Sequence, residues 1–369
     1  MRNTLLRLTQ PRAITYTQNG SPTDVLRVST LPSLPAPSPA QIAVKFLLSP
    51  YNPADMNVVQ GVYPARPQTV DVNGVPHNLG GNEAVAEVVQ VGEGVKHLQP
   101  SDRVIMGASQ LGTWRSSALL NSSDVIKLPP SPAVSTVHAA TLAINPPTAL
   151  RMLSDYVQLR PGDYVIQNGA NSAVGTSVIQ IAKSMNVHTI NLVRERGSSE
   201  ETEALVQELK NMGATHVLTN EQLINDAKNA RRTIKEWTQG KDLKLALNCV
   251  GGQETTELVK TLAEGAHLVT YGAMSKKPLS IPPGLHIFKD LKSVGFWMSR
   301  WYAQSSQEQR RGIANDIVKL IETGNLREPS HQIVRLGGHD QTDEQATQVL
   351  YNALPSSHTG GKKILFDFA

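Results

Sequence analysis

DYVIQNGANSAVG, residues 163–175, decides the fold. DYVIQNG reads as a strand that ends on Gly169. VGTSVIQIAKSMN (174–186) then puts Val174, Val178, Ile181, Ala182 and Met185 on one helical face. The turn between them lacks a G-x-G-x-x-G pattern: Gly169 and Gly175 flank Ala170, Asn171, Ser172, Ala173 and Val174. Small residues still let backbone N–H groups approach a pyrophosphate at a helix N-terminus. Asn171 and Ser172 can add side-chain donors. A tight turn with no ligand is the plainer alternative.

Downstream the same alternation continues. HTINLV is a second strand, and EETEALVQELKNMG is a helix with Leu205, Leu209 and Met212 on one face and Gly213 as its stop. HVLT, KLALNCVGG, AHLVTYGAM and LKSVGFWM extend the strand series. Strand–helix alternation predicts an α/β domain with a doubly wound parallel sheet over residues 145–309. Upstream the texture differs. AQIAVKFLLSPYNP, EAVAEVVQVGEGV and DRVIMGAS are short β-rich runs broken by Gly, Pro and Asp, and SLPAPSPA is a proline-rich connector. Residues 1–144 therefore predict an irregular antiparallel barrel or sandwich. The helix RRGIANDIVKLIETG and the strand GKKILFDF return residues 310–369 to it.

The end of the second strand bears on cofactor choice. NAD sites place an acid there for the ribose 2′-OH. Here the chain reads NLVRERG, with Arg194 and Arg196 around Glu195. Guanidinium groups pair with phosphate in a fork, so the pattern points to NADPH and its 2′-phosphate. Glu195 would repel that phosphate if it faced the same way. The alternative is a solvated turn in which the arginines pair with Glu195 and Glu200.

Composition excludes several classes. With 40% hydrophobic and 18% charged residues, the chain has the balance of a folded globular protein. No apolar run approaches the ~20 residues of a membrane span. A net charge of +4 without long like-charged blocks gives no nucleic-acid track. One cysteine, Cys249, leaves no intrachain disulfide and no four-cysteine zinc site, and reads as a small buried hydrophobe. GGNEAVAEV has Asn82 before Glu83, and asparagine is a poor zinc ligand, so no metal is expected. No P-loop, G-x-S-x-G elbow or H-E-x-x-H is present. The start carries Arg2, Arg7 and Arg12 with no acid before Asp24, as an organelle-targeting remnant would.

One aromatic stands in an unexpected place. In VQGVYPARP (59–67), Tyr63 sits between Gly61 and Pro64. It reads either as a packing residue or as an acid held toward a substrate.

Taken together, SPYNPADMNVVQGVY, LGGNEAVAEVVQVG, LAINPPTALRML, PGDYVIQNGANSAVG, TINLVRERG, LALNCVGG, VTYGAM and IFKDLKSVGFW resemble the zinc-free medium-chain dehydrogenase/reductases. The closer resemblance is to the mitochondrial trans-2-enoyl-thioester reductases. It implies a GroES-like β-rich catalytic domain, a Rossmann NADPH-binding domain and a homodimer built through the latter. It also implies reduction of trans-2-enoyl thioesters of acyl carrier protein or CoA in mitochondrial fatty acid synthesis, in the matrix.

By the same resemblance Tyr63 is the acid and Asn145 the nicotinamide-side asparagine. Asn171, Ser172, Ala173 and Val174 form the pyrophosphate turn, and Arg194 and Arg196 the 2′-phosphate site. Tyr271, Gly272, Ala273, Met274, Phe296, Trp297 and Met298 form the nicotinamide and substrate region, and Lys362 is the tail lysine. QTVDVNGVPHN (68–78) is longer than the resemblance implies, which bears on loop shape and chain-length preference. Two other readings remain: a zinc-free quinone reductase, and a crystallin-like or RNA-binding relative that keeps the fold without turnover.

Overall fold

The computed structural model describes residues 10–337, 341–354 and 361–368; Arg2 and Arg7 lie outside them. The chain forms two compact units, one of residues 1–144, 299–322 and 327–369, the other of 145–298 and 323–326. The return to the first unit falls at Ser299, ahead of the expected residue 310, because α11 (Met298–Gln304) starts directly after the last strand of the second unit.

The first unit starts with β1 (Arg12–Tyr16), α1 (Pro22–Val25), β2 (Arg27–Thr30), β3 (Gln41–Pro50) and α2 (Pro53–Val59). β4 (Thr69–Val72), β5 (Val75–Leu79), β6 (Val85–Val91) and β7 (Arg103–Met106) follow, then β8 (Ser117–Asn121), β9 (Val125–Lys127) and α3 (Thr136–Ala140). After α11 come α12 (Gln307–Glu322), β16 (His331–Arg335), α13 (Asp343–Ala353) and β17 (Lys363–Asp367). One sheet runs β2-β1-β5-β4; the other follows β16-β17-β3-β6-β7-β9, with β8 paired to β3. Register shifts between Ala43 and Val44 and between Phe46 and Leu48 let β3 bend between partners. β2 is an edge strand, and α13 covers its open donors: Val28 N–H donates to Thr347 Oγ1 (2.9 Å) and Thr30 N–H to Asp343 Oδ2 (2.8 Å). Segment 68–78 is a β-hairpin, since Asn73 and Gly74 both take positive φ (54° and 83°), as a two-residue hairpin turn requires.

Trp114 anchors this unit's core. It is fully buried, meets Phe366 edge-on at 5.2 Å, and donates from Nε1 to the Pro50 carbonyl (3.0 Å). A Cβ at Gly80 or Gly81 would come within 2.2 or 2.4 Å of its ring, so the glycine pair of LGGNEA is a packing requirement.

The second unit alternates as the sequence predicts: α4 (Asn145–Asp155), β10 (Tyr164–Gln167), α5 (Ala173–Ser184), β11 (His188–Val193), α6 (Ser199–Met212) and β12 (His216–Thr219). α7 (Asn220–Asn225), α8 (Ala227–Trp237), β13 (Leu245–Asn248), α9 (Gly252–Val259), β14 (His267–Thr270), α10 (Pro283–Lys289) and β15 (Lys292–Gly295) complete it. All six strands are parallel in the order β12-β11-β10-β13-β14-β15. β10 and β13 are central and buried along their whole length, which is why they are apolar without alternation up to their last residues, the buried amides Gln167 and Asn248. α5 is buried more widely than one stripe, since Ser177, Ile179 and Gln180 are covered along with Val178, Ile181 and Ala182. α6 ends on Gly213 at φ 114°, the left-handed stop its sequence predicts. Among the described residues no helix is long and apolar enough to cross a membrane.

Candidate active site

Strand order reverses between β10 and β13, and ligands of doubly wound sheets bind beyond the carboxyl ends of the strands at that point. Gly169 and Cys249 stand there. Gly169 takes φ 59°, and a Cβ on it would come within 2.5 Å of Cys249 Sγ. A Cβ on Gly175 would come within 2.5 Å of the Ala170 carbonyl oxygen. Helix and strand therefore approach more closely than any side chain permits. Ser172 caps α5 by accepting from Gly175 N–H (3.1 Å). The N–H groups of Ala173 and Val174 precede the first intrahelical donor, Thr176 N–H, which bonds the Ser172 carbonyl (2.8 Å), and they open along the helix axis at its positive end. Asn171 and Ser172 are half-buried beside them. This cradle fits a pyrophosphate.

Buried amides brace it from beneath. Asn168 Nδ2 donates to Asn248 Oδ1 (2.8 Å), which also accepts from the N–H groups of Val250 and Gly251 (both 3.1 Å) and from Thr255 Oγ1 (2.8 Å). Cys249 N–H donates to Asn168 Oδ1 (2.8 Å). Cys249 is buried as its sequence predicts, and burial pushes its thiol up to about 11, so it stays protonated.

Tyr271, Gly272, Ala273 and Met274 run alongside Cys249. Tyr271 N–H donates to the Asn248 carbonyl (2.9 Å) and Met274 N–H to the Cys249 carbonyl (2.8 Å). The turn 169–175 and the loop 271–274 thus share one neighbour. Phe296 N–H bonds the Thr270 carbonyl (3.0 Å), which sets Phe296, Trp297 and Met298 at the carboxyl end of β15, the first two half-buried and Met298 buried. Asn145 is buried at the head of α4, which packs on α5.

Arg194 is exposed and Arg196 half-buried at the end of β11. Glu195 between them is held elsewhere. Its carboxylate accepts from Thr219 Oγ1 (3.0 Å), at the end of β12, and its N–H donates to Glu221 Oε2 (3.2 Å). The carboxylate is thereby engaged by the neighbouring strand, while Arg194 faces the Glu254 carboxyl closely enough to oppose its rise on burial.

Tyr63 and Lys362 belong to the first unit. α2 ends in a Schellman motif: Val62 N–H bonds the Asn57 carbonyl (2.9 Å) and Gly61 N–H the Val58 carbonyl (3.0 Å), with Gly61 at φ 75°. Asn19 Nδ2 clamps the same turn through the carbonyls of Val58 and Val59 (3.1 and 3.0 Å). The chain therefore leaves the helix on a defined path, and Tyr63 follows half-buried. The helix end fixes the backbone that leads into it. Lys362 is exposed just before β17.

The next residue, Lys363, turns inward to a polar cluster that sequence reading misses. Its Nζ donates to Asn52 Oδ1 (2.5 Å), and Asn52 Nδ2 donates to Glu83 Oε2 (2.9 Å). Asp55, also buried, accepts from Asn52 N–H (2.8 Å) at the start of α2, and Glu83 Oε1 accepts from Ile144 N–H (2.8 Å). Burial raises both carboxyls, Asp55 to about 7, and Lys363 opposes the rise in each. The one sequence signal is the Asn52–Asp55 spacing of a capping box. Among the described residues no three His, Cys, Asp or Glu side chains gather as a metal site, and Asn82 Oδ1 instead accepts from Gln110 N–H.

Lys363→Met leaves Glu83 and Asp55 without their cation, and a loss of about 3–5 kcal/mol in unfolding free energy is expected. The sign with pH follows from Asp55. A carboxyl raised to about 7 in the folded state favours folding at low pH, and that contribution is lost as pH rises toward 7. Removing the lysine extends this loss to higher pH. Denaturant titrations should show a wide gap between variant and wild type at alkaline pH that narrows in mild acid.

A doubly wound sheet with this cradle and arginine pair, joined in one chain to a β-rich unit, defines a two-part dinucleotide-dependent dehydrogenase/reductase. The alcohol dehydrogenase GroES-like domain matches residues 38–130, and the zinc-binding dehydrogenase domain matches 173–313. The chain is 40% identical to the mitochondrial enoyl-[acyl-carrier-protein] reductase of Caenorhabditis elegans, over 92% of each chain. Among solved structures it matches the complex of Etr1p with NADP and crotonyl-CoA at TM-score 0.87 and 36% identity, covering 97% of this chain and 99% of that one. The Etr1p/Etr2p heterodimer of Candida tropicalis, a mitochondrial 2-enoyl thioester reductase, matches at TM-score 0.86 and 37% identity, covering 98% and 100%. The chain belongs to the mitochondrial enoyl-[acyl-carrier-protein] reductase family.

Proposed function

We propose that this enzyme uses NADPH to reduce trans-2-enoyl thioesters to saturated acyl thioesters. The likeness to the Etr1p complex with NADP and crotonyl-CoA over nearly the whole chain is the observation that carries this reading. NADPH, when bound, supplies the hydride that reaches the β-carbon of the substrate. Ala173 and Val174 N–H groups and the Ser172 cap hold its pyrophosphate, and Arg194 and Arg196 hold its 2′-phosphate. Asn145, Tyr271, Gly272, Ala273 and Met274 line the nicotinamide side, Phe296, Trp297 and Met298 the acyl side, and Lys362 adds a cation from the tail. Charge then develops on the thioester oxygen, and the α-carbon needs a proton. Tyr63 donates it. The testing experiment is NADPH oxidation against crotonyl-CoA and against a quinone. Turnover with the thioester supports the proposal, and turnover with the quinone alone rejects it.

The proposed carrier is acyl carrier protein or CoA, and the proposed location is the mitochondrial matrix, in keeping with relatives named as mitochondrial and an acid-poor N-terminal stretch. The proposed assembly is a homodimer through the second unit. Its outer strand β15 leaves Lys292, Ser293 and Gly295 exposed, and Ile287 and Phe288 beside it are 70% and 80% exposed. An open edge beside exposed apolar side chains suits pairing with a second copy. Light scattering should give a dimer mass for wild type and a monomer mass for Phe288→Asp; a wild-type monomer would refute the assembly.

A further inference from the structure

We infer that Thr219 determines the choice of NADPH over NADH, by holding Glu195 away from the 2′-phosphate. The inference rests on the reading of Arg194 and Arg196 as the 2′-phosphate site. Glu195 stands just past Arg194 in the loop that leaves β11 (His188–Val193), the second strand of the doubly wound sheet, beside the place from which an acid accepts the ribose 2′-OH in NAD-dependent proteins. The chain thus carries an acid suited to NADH between two arginines suited to NADPH. Which one acts depends on where the carboxylate points.

Thr219 decides that direction. It is 6% exposed and stands on β12, so its position is set by the sheet. Its hydroxyl oxygen accepts from Gln222 N–H (3.1 Å) as the cap of α7, which leaves its own hydrogen to donate to Glu195 Oε1 at 3.0 Å. Gln222 completes the cap by accepting from Thr219 N–H (2.9 Å). The Glu195 backbone is tied to the same turn through Glu221. Without the hydroxyl, valine offers Glu195 no bond, and the carboxylate swings to the arginines. There it opposes a phosphate but accepts from a free ribose hydroxyl.

The experiment is a fluorescence titration of wild type, Glu195→Gln, Thr219→Ser, Thr219→Val and Thr219→Val/Glu195→Gln with NADPH and NADH, repeated at two salt concentrations. Wild type should prefer NADPH; if it does not, the arginine reading itself fails. Thr219→Val should weaken NADPH about tenfold, as one added like charge near a surface phosphate does, and leave NADH equal or tighter. The NADPH defect should shrink at higher salt. The double variant should regain wild-type NADPH affinity, and Thr219→Ser, which keeps cap and donor, should match wild type. Glu195→Gln alone should move NADPH affinity by less than about twofold, because a carboxylate already turned away adds little repulsion. That variant leaves the cap intact and tests the inference even if Thr219→Val folds poorly. Equal weakening of both nucleotides without rescue, or markedly tighter NADPH binding in Glu195→Gln alone, would overturn it.

Discussion

Tyr63→Phe is expected to lower kcat for reduction of a trans-2-enoyl-CoA roughly 10²- to 10⁴-fold, the usual contribution of a positioned general acid, and to leave NADPH affinity unchanged. The two effects separate because the nucleotide cradle and Tyr63 lie in different compact units of the chain. Phenylalanine keeps the ring and removes only the donor. The loop should survive, since its path is set by the Schellman turn at Gly61 and by Asn19, neither of which involves the phenol. A product-analysis readout sharpens the result. With the α-proton delivered by water, the deuterium taken up at that carbon should lose its facial preference in heavy water. Full activity in Tyr63→Phe would remove the proton-donor role.

Replacing both Arg194 and Arg196 by alanine should weaken NADPH binding by at least about a hundredfold and leave NADH binding within a few fold. Each charge-assisted hydrogen bond to a phosphate contributes about 1.5–3 kcal/mol, and each ~1.4 kcal/mol is tenfold in affinity. Calorimetric titration of both nucleotides measures this. Equal loss for NADPH and NADH would mean that the loop 194–196 supports the fold of the site and not the 2′-phosphate.

Local patterns carried most of the fold. Gly169 and Gly175 are legible as a strand-to-helix cradle because the chemistry lies within a single turn, and the burial of β10 and β13 is legible in apolar runs that break only at their last residues, Gln167 and Asn248. Asn73-Gly74 is a hairpin signal of the same local kind, although segment 68–78 reads first as an insertion. What is not legible depends on partners far along the chain. The Glu195 carboxylate accepts from Thr219, 24 residues on and on another strand. The cluster under Lys363 joins residues 311 apart through Asn52, and no periodicity announces it. Lys362 and Lys363 are alike in sequence, but β17 begins only at the second, which turns inward while Lys362 before it stays exposed.

Thioester reduction by NADPH is measured by a stoichiometric assay of the purified wild-type protein with NADPH and crotonyl-CoA, following nucleotide oxidation optically and thioester products by mass spectrometry. One NADPH should be consumed per butyryl-CoA formed, with NADH a far poorer donor. NADPH binding without any saturated thioester, while a quinone is reduced in the same assay, would contradict it.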